Sequence, residues 1–174
     1  PAPRHGRRML ALAGCVQPSM RPSINAATAR VLDLLGISLV EQAGAGCCGA
    51  VKFHLHDQGG ARAEARRNID AWWPAIAAGE VEALVVTASG CGVQVKDYGH
   101  MLKDDPAYAD KAARVASLAR DVAEVLAAEA PALQAQLVRR VAGRPRRKIA
   151  FHAPCSLQHG LKIRGVVEGL LRDA

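Results

Sequence analysis

The feature that most restricts the fold of this sequence is a pair of adjacent cysteines between two glycines, at residues 46–49. Neighbouring side chains on a strand point to opposite faces, so the two thiols cannot both pack into one face of a core. A disulfide bond between neighbours is strained. The flanking glycines permit the tight backbone that lets both sulfurs approach a single object. The pair therefore indicates a loop that binds a ligand.

Three more cysteines are spread along the chain: Cys15 precedes the pair, and Cys91 and Cys155 follow it. The total of five is odd, which does not suit a disulfide framework. The apolar run at residues 9–13 is too short for the core of an export signal, which takes ~7–15 residues. We therefore expect a reducing, cytoplasmic compartment, where free thiols are available as ligands. Several thiolates without another evident ligand set favour an iron–sulfur cluster.

Short apolar runs alternate with helical patterns, which indicates an α/β protein with a parallel sheet. The runs predict strands at residues 8–14, 37–40, 83–87 and 148–152. The helical patterns predict helices at residues 23–35, 60–79, 93–101 and 108–141, with a break at Pro131, and a last helix up to the end of the chain. We predict a Rossmann-like layered fold with a mostly parallel sheet and cysteines at the carboxyl ends of its strands.

The cysteines fall where such a fold builds its sites. The predicted strands at residues 8–14, 83–87 and 148–152 each run into a turn that carries a cysteine, and the vicinal pair follows the strand at residues 37–40. Ligands of parallel sheets bind outside the carboxyl ends of the strands, where helix amino termini offer N–H groups to anions. The predicted metal-binding residues are Cys15, Cys47, Cys48, Cys91 and Cys155. Neighbouring glycines are predicted to let the backbone approach the cofactor, namely Gly14, Gly46, Gly49 and Gly90.

Other interpretations stay open on the residues alone. Free cysteines are often buried core residues. Zinc sites usually show paired C-x-x-C spacing, but Gln94 stands three residues after Cys91. A redox disulfide or a nucleophilic cysteine is a further alternative, although no histidine is evidently placed to activate it. Residues 44–49 also match the dinucleotide fingerprint G-x-G-x-x-G, but the acidic Asp70 that follows lies inside a predicted helix.

The histidines and tryptophans have simpler interpretations. Four histidines near the cysteines are expected to be surface groups or to support the ligands, with direct ligation as the alternative: His54, His56, His152 and His159. The adjacent Trp72 and Trp73 are predicted to pack a helix rather than to bind a partner. We expect no catalytic residue in this chain.

The chain is basic, with a formal net charge of +7, and much of the excess lies at residues 139–148. This stretch falls between a predicted helix and a predicted strand, and no aromatic residues are interleaved with it. A base-stacking platform is therefore unsupported, and we expect no nucleic-acid partner. The stretch is predicted to be a solvated linker, with contact to a partner or an anionic membrane surface as the alternative.

These residues resemble the cysteine-rich CCG domain family. Its pattern is a cysteine, a spacer of about thirty residues, Cys-Cys-Gly, a second spacer, and Cys-x-x-Cys. Cys15, the Cys-Cys-Gly at residues 47–49 and Cys91 match this pattern. Residues 87–100 and 152–160 are most similar to the glycolate oxidase iron–sulfur subunits of this family. Heterodisulfide reductase and the iron–sulfur subunits of anaerobic glycerol-3-phosphate dehydrogenase also belong to it.

The resemblance implies two modules: residues 1–143 are the first CCG module, and residues 144–174 are the start of a truncated second one. Cys155 then lacks the partners of its own module. Gln94 stands where the pattern has its last cysteine, which leaves four thiolates in the first module. Four thiolates suffice for a cubane of four irons and four sulfides, but not for the five-cysteine cluster of heterodisulfide reductase.

The function implied by the resemblance is electron transfer within a glycolate oxidase complex. A flavoprotein subunit with FAD would oxidise glycolate, and this subunit would pass the electrons toward a quinone or another membrane acceptor. The chain would then be cytoplasmic, or peripheral at the cytoplasmic face of a membrane. A catalytic module similar to heterodisulfide reductase, and a structural zinc-binding interaction module, are the alternatives.

Overall fold

A computed structural model describes residues 3–141 and 148–172. Its centre is a sheet of four parallel strands in the order β2-β1-β3-β4. The strands are β1 (Arg7–Ala11), β2 (Ile37–Glu41), β3 (Leu84–Val86) and β4 (Ala119–Asp121). The predicted α/β class with a parallel sheet is confirmed.

Helices connect the strands and cover both faces of the sheet, as parallel sheets require. They are α1 (Gln17–Met20), α2 (Ser23–Leu34), α3 (Ala50–His54), α4 (Gln58–Ala77), α5 (Ser89–Lys96), α6 (Tyr98–Met101), α7 (Ala109–Leu118), α8 (Val122–Ala128), α9 (Ala130–Val141) and α10 (Val166–Arg172). A π-helical turn spans Ser156–Gly160. None of the helices in the described part of the chain is long and apolar enough to cross a membrane.

The alternation of side chains along the strands separates two cores. In β1, Met9 packs into a cluster with Leu32 of α2 and Val125 of α8. The next residue, Leu10, points to the opposite face and joins a larger cluster built mainly on α4, α5, α6 and α7. Trp72 of α4 is the largest side chain in that cluster and is fully buried. The prediction that the tryptophan pair serves packing is therefore confirmed for Trp72.

The predicted fourth strand at residues 148–152 is wrong. These residues have no regular structure and are exposed. The fourth strand is instead β4, which interrupts the predicted helix at 108–141 and pairs with β3. Ala119 and Asp121 are buried in this pairing, and Asp121 also caps α8 in a capping box with Glu124. Tertiary pairing thus overrides the helical preference of an alanine-rich stretch.

The predicted break at Pro131 is close to the observed boundary between α8 and α9. Pro131 is the second residue of α9, and a proline is tolerated in the first turn because its missing N–H would have no helical partner there. The predicted module boundary between residues 143 and 144 lies outside the described residues.

The segment that follows the boundary packs against the rest of the chain. The buried side chains of Leu157, Leu161 and Ile163 form a small core with Ala123 of α8. Two glycines permit this close approach. A Cβ atom on Gly160 would lie 2.4 Å from Cγ2 of Val93, and one on Gly92 would lie 3.2 Å from Cδ1 of Leu161. The π-helical turn is therefore fixed against α5, the helix that carries Cys91.

Candidate metal centre

Four of the five cysteines lie at the carboxyl-terminal edge of the sheet. Cys15 is in the loop that follows β1, and the vicinal pair Cys47 and Cys48 lies between β2 and α3. Cys91 is in the first turn of α5, which follows β3. Because β2, β1 and β3 are neighbours in a parallel sheet, their carboxyl ends bring these loops to one place.

The four thiols interact in two pairs. A hydrogen bond with the Cys47 thiol, together with burial, raises the pKa of Cys15. A hydrogen bond with Cys91, together with burial, raises the pKa of Cys48 far above its usual range, whereas the same hydrogen bond lowers the pKa of Cys91. Charges on Cys15 and Cys47 also act on Cys91. The neighbouring side chains of the pair therefore reach different partners, and each of the four thiols acts electrostatically on others of the group.

The backbone beside the thiols requires glycine at one position above all. Gly49 precedes α3 with a φ of +87°, and a Cβ atom there would lie 3.0 Å from the carbonyl oxygen of Ala61. Its N–H group donates to the sulfur of Cys47 at 3.4 Å. Gly14 also has a positive φ, of +79°. At Gly90 no such requirement exists, because the space around it is open.

Two buried residues that the sequence analysis missed hold the loop of the vicinal pair. Asn68 of α4 accepts the N–H group of Gly46 at 2.8 Å and donates to the carbonyl oxygen of Cys47 at 2.7 Å. Asn68 also donates to the hydroxyl of Tyr98 at 3.0 Å, and that hydroxyl donates to the carbonyl oxygen of Cys48 at 2.9 Å. A signal existed: Asn68, like Glu64, is a polar residue on the mainly apolar buried face of α4.

Charged side chains lie next to this loop. Glu64 of α4 is mostly buried and pairs with Lys52 at 2.7 Å and with Arg67. The hydrogen bond with Glu64 raises the pKa of Lys52, and a smaller contribution comes from Cys47. The nearest atom to a Cβ built on Gly46 is a guanidinium nitrogen of Arg67, at 3.0 Å. The two cations exceed the one carboxylate with which they pair, so a net positive charge lies next to the loop, which suits an anionic centre.

The structure does not bring Cys155 into contact with the other four cysteines. Cys155 is exposed, and the residue after it, Ser156, shares a hydrogen bond of 2.7 Å with Ser89 at the start of α5. A ligand role for Cys155 stays a prediction. The histidines at positions 54, 56, 152 and 159 are exposed.

Gln94 and Asp70 bear on the alternative interpretations. Gln94 is buried, and its side-chain amide donates to the sulfur of Met101 at 2.7 Å. Asp70 lies in the middle of α4 and accepts the hydroxyl of Tyr108 at 2.9 Å. A dinucleotide-binding acid would instead follow a strand and face the ribose. The dinucleotide interpretation therefore does not fit.

The donor set at this edge of the sheet consists of thiols. Within residues 3–141 and 148–172, no three histidine, cysteine, aspartate or glutamate side chains are close enough to share one metal ion. Thiolates around an iron–sulfur cluster each bind a different iron, so they stand further apart than four ligands of one zinc ion. Four coupled thiols, with backbone N–H groups and no carboxylate among them, match the ligands that iron–sulfur clusters use.

Comparison with known proteins agrees with this chemistry. The model of the CCG cysteine-rich domain family matches residues 9–96. The chain is 54% identical over 98% of its length to the glycolate oxidase iron–sulfur subunit of Escherichia coli K12. It is 32% identical over 69% of its length to a probable glycolate oxidase iron–sulfur subunit of Bacillus subtilis. It is 24% identical over 91% of its length to lactate utilization protein A of Bacillus licheniformis. The chain spans 40%, 26% and 61% of these three relatives, respectively.

Proposed function

We propose a function from one premise: the chain belongs to the family of cysteine-rich domains with the CCG motif. The chain is part of an iron–sulfur electron-transfer subunit of a glycolate oxidase complex. Its cluster contains four irons and four sulfides and is held by Cys15, Cys47, Cys48 and Cys91. The chain does not contact glycolate, which a flavoprotein subunit with FAD oxidises. The electrons leave toward a quinone, with the complex in the cytoplasm or at the cytoplasmic face of a membrane.

The observation that carries this proposal is the meeting of four thiols, from two loops and the first turn of α5, at one edge of the sheet. Cysteines that serve only as small apolar core residues have no reason to gather at one edge of the sheet. Two relatives indicate the reaction, since one is a glycolate oxidase iron–sulfur subunit and the other is named as a probable one.

The thiols and the groups next to them have separate roles in this function. When bound, a cluster of this type takes up and releases single electrons. The four thiolates hold it. Burial of Cys48, which is 3% exposed, keeps water away from one side of the site. The Gly49 N–H group and the cations Lys52 and Arg67 offset negative charge that arrives with an electron.

A partial-reaction experiment on the complete complex tests the proposal. We expect that a complex with Cys91→Ser still reduces its flavin when glycolate is added, because the flavoprotein subunit is intact. Glycolate-dependent quinone reduction should fall at least 100-fold, because the electrons cannot leave the flavin. Stopped-flow absorbance measures the flavin step, and steady-state quinone reduction measures the whole path. Quinone reduction at the wild-type rate would contradict the proposal.

The same complex separates the alternatives. A disulfide-reducing module similar to heterodisulfide reductase would reduce a disulfide substrate when supplied with electrons, but the buried amide of Gln94 stands where that chemistry has a fifth thiol. A structural zinc module would contain zinc in place of iron. Its cysteine variants would cause the complex to dissociate, whereas cysteine variants of an electron-transfer module would leave an intact complex with a reduced flavin.

A further inference from the structure

We infer that Asn68 and Tyr98 are positioning residues that aim the N–H group of Gly49 at the sulfur of Cys47 and thereby raise the reduction potential of the centre. The two side chains come from α4 and α6, and both are fully buried. Between them they bind three consecutive residues of the loop, from Gly46 to Cys48. The inference rests on the proposed cluster.

The hydrogen bonds of Asn68 fix the direction of the whole network. Its amide oxygen must face the N–H group of Gly46, which can only donate, and its amide nitrogen must face the carbonyl oxygen of Cys47, which can only accept. The second N–H of the same amide donates to the hydroxyl of Tyr98. The hydroxyl proton of Tyr98 is then free to donate to the carbonyl oxygen of Cys48.

Peptide geometry connects Tyr98 to the sulfur. In a trans peptide the carbonyl and the N–H group point in opposite directions, and the peptide between Cys48 and Gly49 is trans. The hydroxyl of Tyr98 holds the carbonyl end of this peptide at 2.9 Å, and the N–H end meets the sulfur of Cys47 at 3.4 Å. The hydroxyl therefore sets the orientation in which the N–H group faces the sulfur.

The loop needs the hydroxyl of Tyr98 because its own backbone does not fix the orientation of the peptide between Cys48 and Gly49. Glycines stand at both ends of the pair, and Gly49 occupies the left-handed region with a φ of +87°. Glycine restricts neighbouring peptides least of all residues. Without the hydroxyl of Tyr98, the peptide between Cys48 and Gly49 can rotate, and the N–H group can leave the sulfur. Hydrogen bonds to the sulfurs are among the factors that set the potential of iron–sulfur clusters.

The test is a redox titration of the full-length protein with Tyr98→Phe, followed by electron paramagnetic resonance. The phenylalanine ring fills the same space and removes only the hydroxyl. Tyr108→Phe is the matched control, because the hydroxyl of Tyr108 binds the exposed Asp70 instead of the loop. We expect the midpoint potential of Y98F to shift to a more negative value, because the reduced state loses a hydrogen bond, while Y108F keeps the wild-type potential. Iron content and circular dichroism are measured on the same samples.

The outcomes separate this inference from the proposed function. A more negative potential in folded Y98F supports positioning, and so does loss of iron from folded Y98F when Y108F retains it. An unchanged potential in iron-loaded Y98F overturns the inference, and so does an equal shift in both variants. If the wild-type protein itself binds no iron, the proposed cluster fails, whatever the variants do.

Discussion

Replacement of Cys48 by serine is expected to remove nearly all of the about four irons that the four-thiol site holds in the anaerobically purified protein. Cys48 is the most buried of the four thiols, and its side chain interacts directly with Cys91. A serine hydroxyl has almost the same size, but it is a poor ligand for iron in a cluster, which binds soft thiolates. Iron and acid-labile sulfide assays, with the visible absorption spectrum, measure the effect.

The matched control is Cys155→Ser, which is the same chemical change at an exposed cysteine. We expect this variant to keep its iron in the described module, because the structure does not bring Cys155 to the other four thiols. A C48S protein with wild-type iron content and spectrum would refute the ligand assignment. Equal losses in both variants would mean that Cys155 takes part in the same centre.

Replacement of Trp72 by alanine is expected to lower the free energy of unfolding by about 3–5 kcal/mol, the range for aromatic residues truncated in a core. Trp72 is fully buried and joins α4 to the larger of the two cores. Small domains are stable by only about 5–15 kcal/mol, so this change removes a large fraction of the total. Urea unfolding of the metal-free protein, monitored by circular dichroism, measures the loss.

Trp73→Ala is the control for this prediction, because it makes the same tryptophan-to-alanine change at the next residue of α4. Trp73 is only partly buried, and the ammonium nitrogen of Lys111 lies over its ring, 5.7 Å from the ring centroid. We expect a loss about half as large or smaller. Equal losses in the two variants would contradict the assignment of Trp72 to the centre of the core.

The parallel sheet could be predicted from the sequence because three of its strands are short apolar runs with a glycine within a few residues after each run. The fourth could not. β4 is only three residues long and contains Arg120, so its sequence carries no strand pattern, and only pairing with β3 makes it extended. Residues 148–152 showed the reverse error: an apolar run predicts a strand, yet these residues lie exposed and outside the sheet. Local patterns do not record which segment reaches the sheet edge.

The candidate site could be predicted in its thiols but not in its supports. Cysteines that follow strands carry a visible signal, because the topology of parallel sheets gathers such positions. Asn68 and Tyr98 act through backbone groups of residues distant in sequence, and no local spacing connects them to the vicinal pair. In the sequence they stand out only as residues with polar side chains at buried positions of α4 and α6. Likewise, the segment around Gly160 can approach α5 only because glycine has no side chain. A pattern of apolar residues does not reveal such a requirement.

Quantification of iron, sulfide and zinc in the anaerobically purified protein, with electron paramagnetic resonance before and after dithionite, tests the central claim most directly. We predict about four irons and four sulfides per four-thiol site and a signal that changes on reduction. The full-length protein should be used, with C48S beside it, so that the site described here is distinguished from any other cluster in the same chain. One zinc per site, or C48S with the same metal content and signal as the wild type, would contradict the account.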